Sequence, residues 1–133
     1  MWERDCGFVP VLDDRRIPVG VVTDRDVCIA AYTRGRTLHD MSVDSIMSQG
    51  VVTCRPDAAV ADVEQMMAAR KVRRVVVVDD AGRLEGVVSL GDLARARART
   101  RLDRTMEHVF ADVARTLAAI SQPGPVESES IRA

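Results

Sequence analysis

Apolar residues in this chain come in short runs separated by charged turns. Residues 8–12 form one run, broken only by Pro10, and residues 18–22 form a second, with Asp13-Asp14-Arg15-Arg16 between them. Runs of this length bounded by polar clusters predict two strands joined by a turn. Thr23 then precedes Asp24-Arg25-Asp26 and Val27, Ile29, Ala30 and Ala31. A hydroxyl followed by acids in a first turn predicts a helix capped by Thr23, because the side-chain oxygen can accept from a free N–H and the acids favour the positive end of the helix dipole. Residues 33–39 read as a linker broken at Gly35, and 42–47 as one or two helical turns.

The second half repeats and extends this order. Residues 51–54 predict a short strand, and Pro56 and Asp57 the start of a helix whose apolar face carries Val60, Val63, Met66 and Met67. Val75 to Val78 predict a buried strand, 79–83 a turn centred on Gly82, and 84–88 another strand. Ser89 caps a further helix with Asp92, Leu93 and Ala94. Leu102, Met106, Val109, Val113, Leu117 and Ile120 then form one apolar stripe at helical spacing, ended by Gln122-Pro123-Gly124-Pro125. Residues 126–133 are expected to fray.

The two halves are one line written twice. Residues 1–26 overlay 67–92 without a gap at a constant offset of 66. Asp13-Asp14 meets Asp79-Asp80, Gly20-Val21-Val22-Thr23 meets Gly86-Val87-Val88-Ser89, and Asp26 meets Asp92. Units of this kind rarely bury their apolar faces alone, so two are expected to face one another across a cleft. The overlay is asymmetric: the approach at 50–66 has no counterpart ahead of the first repeat.

Composition narrows the picture. The 133 residues suit one compact domain or two halves sharing a core, and 47% apolar with 3% aromatic residues demands an aliphatic core. A net charge of −1 supplies no field for nucleic acid or an anionic membrane. Cys6, Cys28 and Cys54 are odd in number and widely spaced, against a disulfide framework or zinc site. His39 and His108 share no ligand spacing. With neither a signal peptide nor a membrane span in the sequence, a cytoplasmic location is expected. The basic stretch Arg95, Arg97, Arg99, Arg101 and Arg104 lacks aromatic interleaving and reads as a solvated helix face, so nucleic acid is not an expected partner. There is no nucleophile–base pair, metal cluster or glycine-rich phosphate loop, which argues against an enzyme and against a required cofactor.

The repeated Gly-x-x-Thr/Ser-x-x-Asp segment carries the candidate chemistry. Glycine permits close approach to the backbone, the hydroxyl and helix N-terminus offer donors to an anion, and the acid one turn on can accept both hydroxyls of a ribose. A single such cap is common on helices. Two in matching strand–strand–helix contexts point to a nucleotide.

Those residues, with Gly7-Phe8-Val9-Pro10-Val11-Leu12-Asp13 and Val72-Arg73-Arg74 through Asp79, make the chain resemble a tandem pair of CBS domains, the Bateman module, of the small stand-alone bacterial kind. The resemblance implies an α/β (α+β) fold of pseudo-twofold strand–helix–strand–strand–helix repeats, here with a C-terminal helix. It divides the chain into a first repeat at 1–41, lacking its first strand and most of its first helix, a second at 42–99, a helix at 100–122 and a tail at 123–133. It implies a regulatory module that binds AMP, ADP, ATP or S-adenosylmethionine, a homodimer, and an unidentified regulated protein. Each cleft in such pairs is built crosswise. Thr23 and Asp26 are therefore expected to work with Val52, Thr53, Val72, Arg73 and Arg74: Asp26 on the ribose, Arg74 and Arg73 on phosphate, Val52 and Val72 beside the base. Ser89 and Asp92 mark a second site whose opposite wall is incomplete, because Gly7-Phe8 stands where Arg73-Arg74 would be matched. The different reading is a dimeric scaffold that binds no nucleotide. The gap ahead of repeat 1 is expected to be covered by residues upstream of Met1, by the tail helix or by a second chain.

Overall fold

The structure, a computed structural model, describes residues 6–99 and 106–122. It is a mixed α/β chain whose residues fall into two compact units. One runs up to Ala58 and takes in Arg74–Val88; the other holds Ala59–Arg73 and the residues from Ser89 on.

The first unit contains the strands. Strand β1 (Phe8–Leu12) pairs antiparallel with β2 (Pro18–Thr23), Val9 opposite Val22 and Pro10 opposite Val21. Helix α1 (Asp24–Thr33) follows, then a single 3-10 turn at Leu38–Asp40 and a one-turn helix α2 (Val43–Ile46). Strand β3 is only Thr53–Cys54, shorter than the predicted 51–54, and runs parallel to β4 (Arg74–Val78), with β5 (Leu84–Ser89) beyond it. Val75 and Val76 are both buried, at 0% and 1% exposure. Neighbours on a strand point to opposite faces, so β4 is covered on both, which explains its unbroken valine run.

The repeat is reproduced bond by bond. Asp13 Oδ1 accepts the N–H groups of Arg15 (2.9 Å) and Ile17 (2.8 Å), and Asp79 Oδ1 accepts those of Ala81 (2.9 Å) and Arg83 (2.8 Å). Such side-chain-to-backbone bonds are why aspartate starts both turns. Each turn also needs a left-handed residue. Gly82 supplies it at φ 77°, whereas its counterpart Arg16 adopts φ 65° with a side chain in place. Arg83 adds a guanidinium bond to Asp79 that Ile17 cannot give Asp13. The Arg83 N–H, then the Arg83 side chain and the Ala81 N–H, hold the Asp79 carboxyl below its ordinary range against a smaller opposing effect of desolvation.

Two prolines break the symmetry. Val76 donates its N–H to Val52 O at 3.0 Å, tying β4 to β3, while its counterpart Pro10 has no N–H. Leu84 donates to Arg16 O at 2.9 Å, while its counterpart Pro18 cannot return the bond. The outer edge of β2 is closed by Ser48, which exchanges bonds of 3.0 and 2.9 Å with Val21. Beside it, Met47 lies so close over Gly20 that a Cβ there would sit 2.4 Å from its sulfur. Gly86, the counterpart of Gly20, has nothing within 4 Å of such an atom.

The second unit is helical: α3 (Val60–Arg70), α4 (Leu90–Arg99) and α5 (Met106–Ser121) pack on one another. Helix α3 begins at Val60, later than Pro56 and Asp57, which form a turn instead. It ends with Lys71 left-handed and with Val72 N–H on Met67 O, a glycine-type stop made by lysine. Its buried face is Val63, Glu64 and Met67, and Val60 is exposed, so the predicted apolar face is rotated by part of a turn. The same holds for α5. Thr116 is buried and donates to Asp112 O at 3.0 Å, whereas Leu117 of the predicted stripe is 44% exposed. Leu102, Pro123 and Pro125 of the predicted tail lie outside the described residues.

Two predictions follow from this packing. Gly20→Ala forces Met47 aside and crowds Ser48 O, so it is expected to cost about 1–2 kcal/mol in urea unfolding, while Gly86→Ala stays within about 0.5 kcal/mol of the parent; equal costs would contradict the assignment. A carboxylate with a lowered folded pKa contributes stability above its unfolded pKa and loses it as pH falls through the folded value. The thermal midpoint is therefore expected to drop on acidification below the ordinary carboxylate range, and to drop less in Asp79→Asn.

Candidate functional site

Both candidate motifs are reciprocal caps at a strand-to-helix junction. The Thr23 N–H and hydroxyl donate to Asp26 Oδ2 at 2.8 and 2.7 Å, and Thr23 Oγ1 accepts the Asp26 N–H at 3.2 Å. Ser89 and Asp92 repeat this at 2.8, 2.5 and 3.2 Å. The junctions are also tied back to the preceding strand in the same way. Asp24 N–H donates to Gly7 O at 3.4 Å and Leu90 N–H to Arg73 O at 3.0 Å, counterparts at offset 66. The hydroxyl is thus committed to the cap, and the acid places one oxygen on the cap and the other outside it.

That second oxygen distinguishes the two motifs. In Asp92, Oδ1 takes a guanidinium bond from Arg95 on the same helix. The Ser89 hydroxyl, then its N–H, then Arg95 hold the Asp92 carboxyl below its ordinary range, with desolvation opposing them. The counterpart of Arg95 in the first repeat is Ile29, which has no charge to offer. Among the described residues Asp26 Oδ1 has no such partner. The basic stretch on α4 was read as a solvated face; its first member has this specific partner, and the spacing Asp92 to Arg95 against Asp26 to Ile29 was the available signal.

The remaining predicted residues divide between the units. Thr23, Asp26, Val52, Thr53 and Arg74 lie in the first, and Val72, Arg73, Ser89 and Asp92 in the second. Val52 is half-buried, accepting from Val76, and Thr53 is exposed opposite Val76 on β4. Arg74 opens β4 exposed, its guanidinium 5.8 Å from the ring centre of Phe8, the counterpart residue at the start of β1. A cation over a ring at this distance is a mild attraction that leaves its N–H groups available. Gly20 was read as leaving room for a ligand; that room is filled by Met47.

A small hollow of about 130 Å³ borders Asp26, Ile29, Ala30, Thr33, Arg34 and Ile46, below the size of typical ligand sites. A cavity of about 440 Å³ lies between α3 and α5, where Ala61, Ala68 and Ala119 leave the helices underfilled beside the buried Glu64; it contains none of the predicted residues. Among the described residues no three His, Cys, Asp or Glu side chains are grouped to hold a metal, and no helix is long and apolar enough to cross a membrane. Cys54 is buried, which pushes its thiol pKa up, and Cys28 is exposed.

Comparison with known proteins places this geometry. Residues 43–99 match the CBS domain. The CBS-domain-containing protein ATU1752 of Agrobacterium tumefaciens is 30% identical with a TM-score of 0.62, over 72% of this chain and 75% of that one. The CBS domain pair of protein MJ0100, solved with 5′-methylthioadenosine and S-adenosyl-L-methionine, is 26% identical with a TM-score of 0.64, over 75% and 77%. CBSX2, solved with AMP, is 27% identical with a TM-score of 0.65, over 76% and 78%. The CBS domain-containing protein YhcV of Bacillus subtilis is 34% identical over 94 residues, 71% of this chain and 65% of the relative. The chain spans about half to two thirds of the length of the curated relatives it matches, 47% of one and 65% of another. Aligned across most of its length with CBS proteins, and carrying the strand–turn–strand–cap–helix unit twice, the chain belongs to the CBS-domain family.

Proposed function

We propose that this chain is a regulatory module that binds an adenosine-containing ligand, one of AMP, ADP, ATP or S-adenosylmethionine, at the Thr23–Asp26 cap. The carrying observation is the open second oxygen of Asp26, against the Arg95-occupied oxygen of Asp92. A ribose diol needs a fixed acceptor, and the cap fixes Asp26 while leaving Oδ1 to receive it. Two similar CBS structures hold adenosyl compounds, which supports this ligand class. Val52 and Thr53 lie in the same unit, and Arg74 there offers guanidinium donors suited to phosphate. Val72 and Arg73 keep the base and phosphate roles the family resemblance gives them, and Ser89 and Asp92 form a weaker second site. The repeats are assigned to 1–41 and 42–99, followed by the helix at 100–122. Binding regulates by favouring one of two packings, of the repeats or of a dimer, for an unidentified target.

A scaffold that dimerises and binds no nucleotide is the second reading. It is favoured by the exposed apolar group Ile29, Tyr32, Leu38 and Val43 around α1, with Tyr32 at 90% exposure.

Calorimetric titration with AMP, ATP and S-adenosylmethionine separates the two. Asp26→Asn keeps an oxygen for the cap and replaces the open one by a donor. Losing charge-assisted bonds worth about 2 kcal/mol is expected to weaken binding about thirtyfold, with Asp92→Asn near the parent. Binding indifferent to Asp26→Asn defeats the site, and no heat with any of the three ligands defeats the nucleotide reading.

A further inference from the structure

The outer edges of β2 and β5 are the same surface in two states. Val21 turns its N–H and C=O out of the sheet, and Ser48 takes both. The residue before it, Met47, lays its side chain in the space that Gly20 lacks a Cβ to fill. Gly20 is buried as a result and Val21 half-buried. At offset 66, Gly86 and Val87 present the same glycine–valine pair on β5. Strand β5 closes the sheet order after β4, Gly86 faces open space, and Val87 is 39% exposed.

An uncovered edge of this kind is a template for another extended chain. Backbone bonds there supply affinity, and the pocket for a side chain supplies choice. We infer that the Gly86–Val87 edge of β5 docks an extended segment of a partner protein, antiparallel, carrying a long flexible apolar side chain of methionine type directly before a small residue. The template for the occupant is in the chain itself: Ile46-Met47-Ser48 on the first repeat shows which side chain fills the glycine space and which backbone groups close the edge. A second copy of this chain is not the occupant, because its own Met47 and Ser48 are already engaged on β2. Methionine suits the task, being unbranched and able to fit an irregular gap. Gly86 keeps its space open through the lack of a side chain, so a β-branched residue there would block the methionine while favouring the strand.

The test uses the full chain, labelled with nitrogen-15, and a synthetic peptide with the sequence of residues 42–49. Saturable shifts of the Gly86, Val87 and Val88 amides are expected. Gly86→Val is expected to abolish them with the thermal midpoint preserved, since no atom stands in its way. A peptide with the methionine replaced by glycine is expected to bind about tenfold more weakly, a difference of about 1.4 kcal/mol. Absence of shifts up to the solubility limit of the peptide, shifts confined to Gly20 and Val21, or binding indifferent to Gly86→Val would each overturn the proposal. So would concentration-dependent self-association that Gly86→Val removes, which would make a second copy the occupant.

Discussion

A carboxylate has two oxygens, and at each strand-to-helix junction one of them is committed to the backbone. Asp26 and Asp92 each draw in the N–H and hydroxyl of the residue that ends the strand, and that hydroxyl in turn satisfies the acid's own N–H. Loss of such a cap typically costs about 1 kcal/mol, but its larger effect is directional. It sets where the helix leaves the sheet and aims the remaining oxygen. The environment of that oxygen then separates the two repeats: an arginine one turn on neutralises it in one, and an isoleucine leaves it open in the other. A near-identical motif therefore has different chemistry through a single neighbouring residue.

What was legible in the sequence was local. The aspartate-started turns, the hydroxyl caps and the paired strands depend on residues within four positions of one another, and the offset of 66 doubled each signal. The family resemblance rested on those same segments. Strand β3 is short because only Thr53 and Cys54 face β4 in register, which four apolar-leaning residues cannot announce. Helix α3 starts late because the chain first turns at Pro56 and Asp57. Lys71 ends it left-handed, where sequence rules look for glycine.

What was not legible was contact at a distance. Periodicity puts Val60 and Leu117 on apolar faces, yet Glu64 and Thr116 are the ones buried, because α3 and α5 meet along alanines and short side chains. Thr116 can be buried because it bonds its own helix backbone, a local solution hidden from a count of apolar residues. Gly20 showed the need for close approach but not what approaches, and Met47 lies 27 positions on in the chain. In the candidate site, the capping pairs were readable, whereas the freedom of one carboxylate oxygen required the neighbouring turn of helix.

Pro10 and Pro18 have a consequence for how the chain finds this fold. Two near-copies joined in one polypeptide invite exchange, each strand competing for the other's slot during collapse. A β1 strand placed in the position of β4 would offer a proline where Val52 needs a donor, and a β2 strand placed as β5 would do the same to Arg16. Both wrong pairings lack a backbone bond that the right ones have. The prolines thus act as keys that fit one lock, making two similar repeats non-interchangeable and steering folding away from its most tempting error.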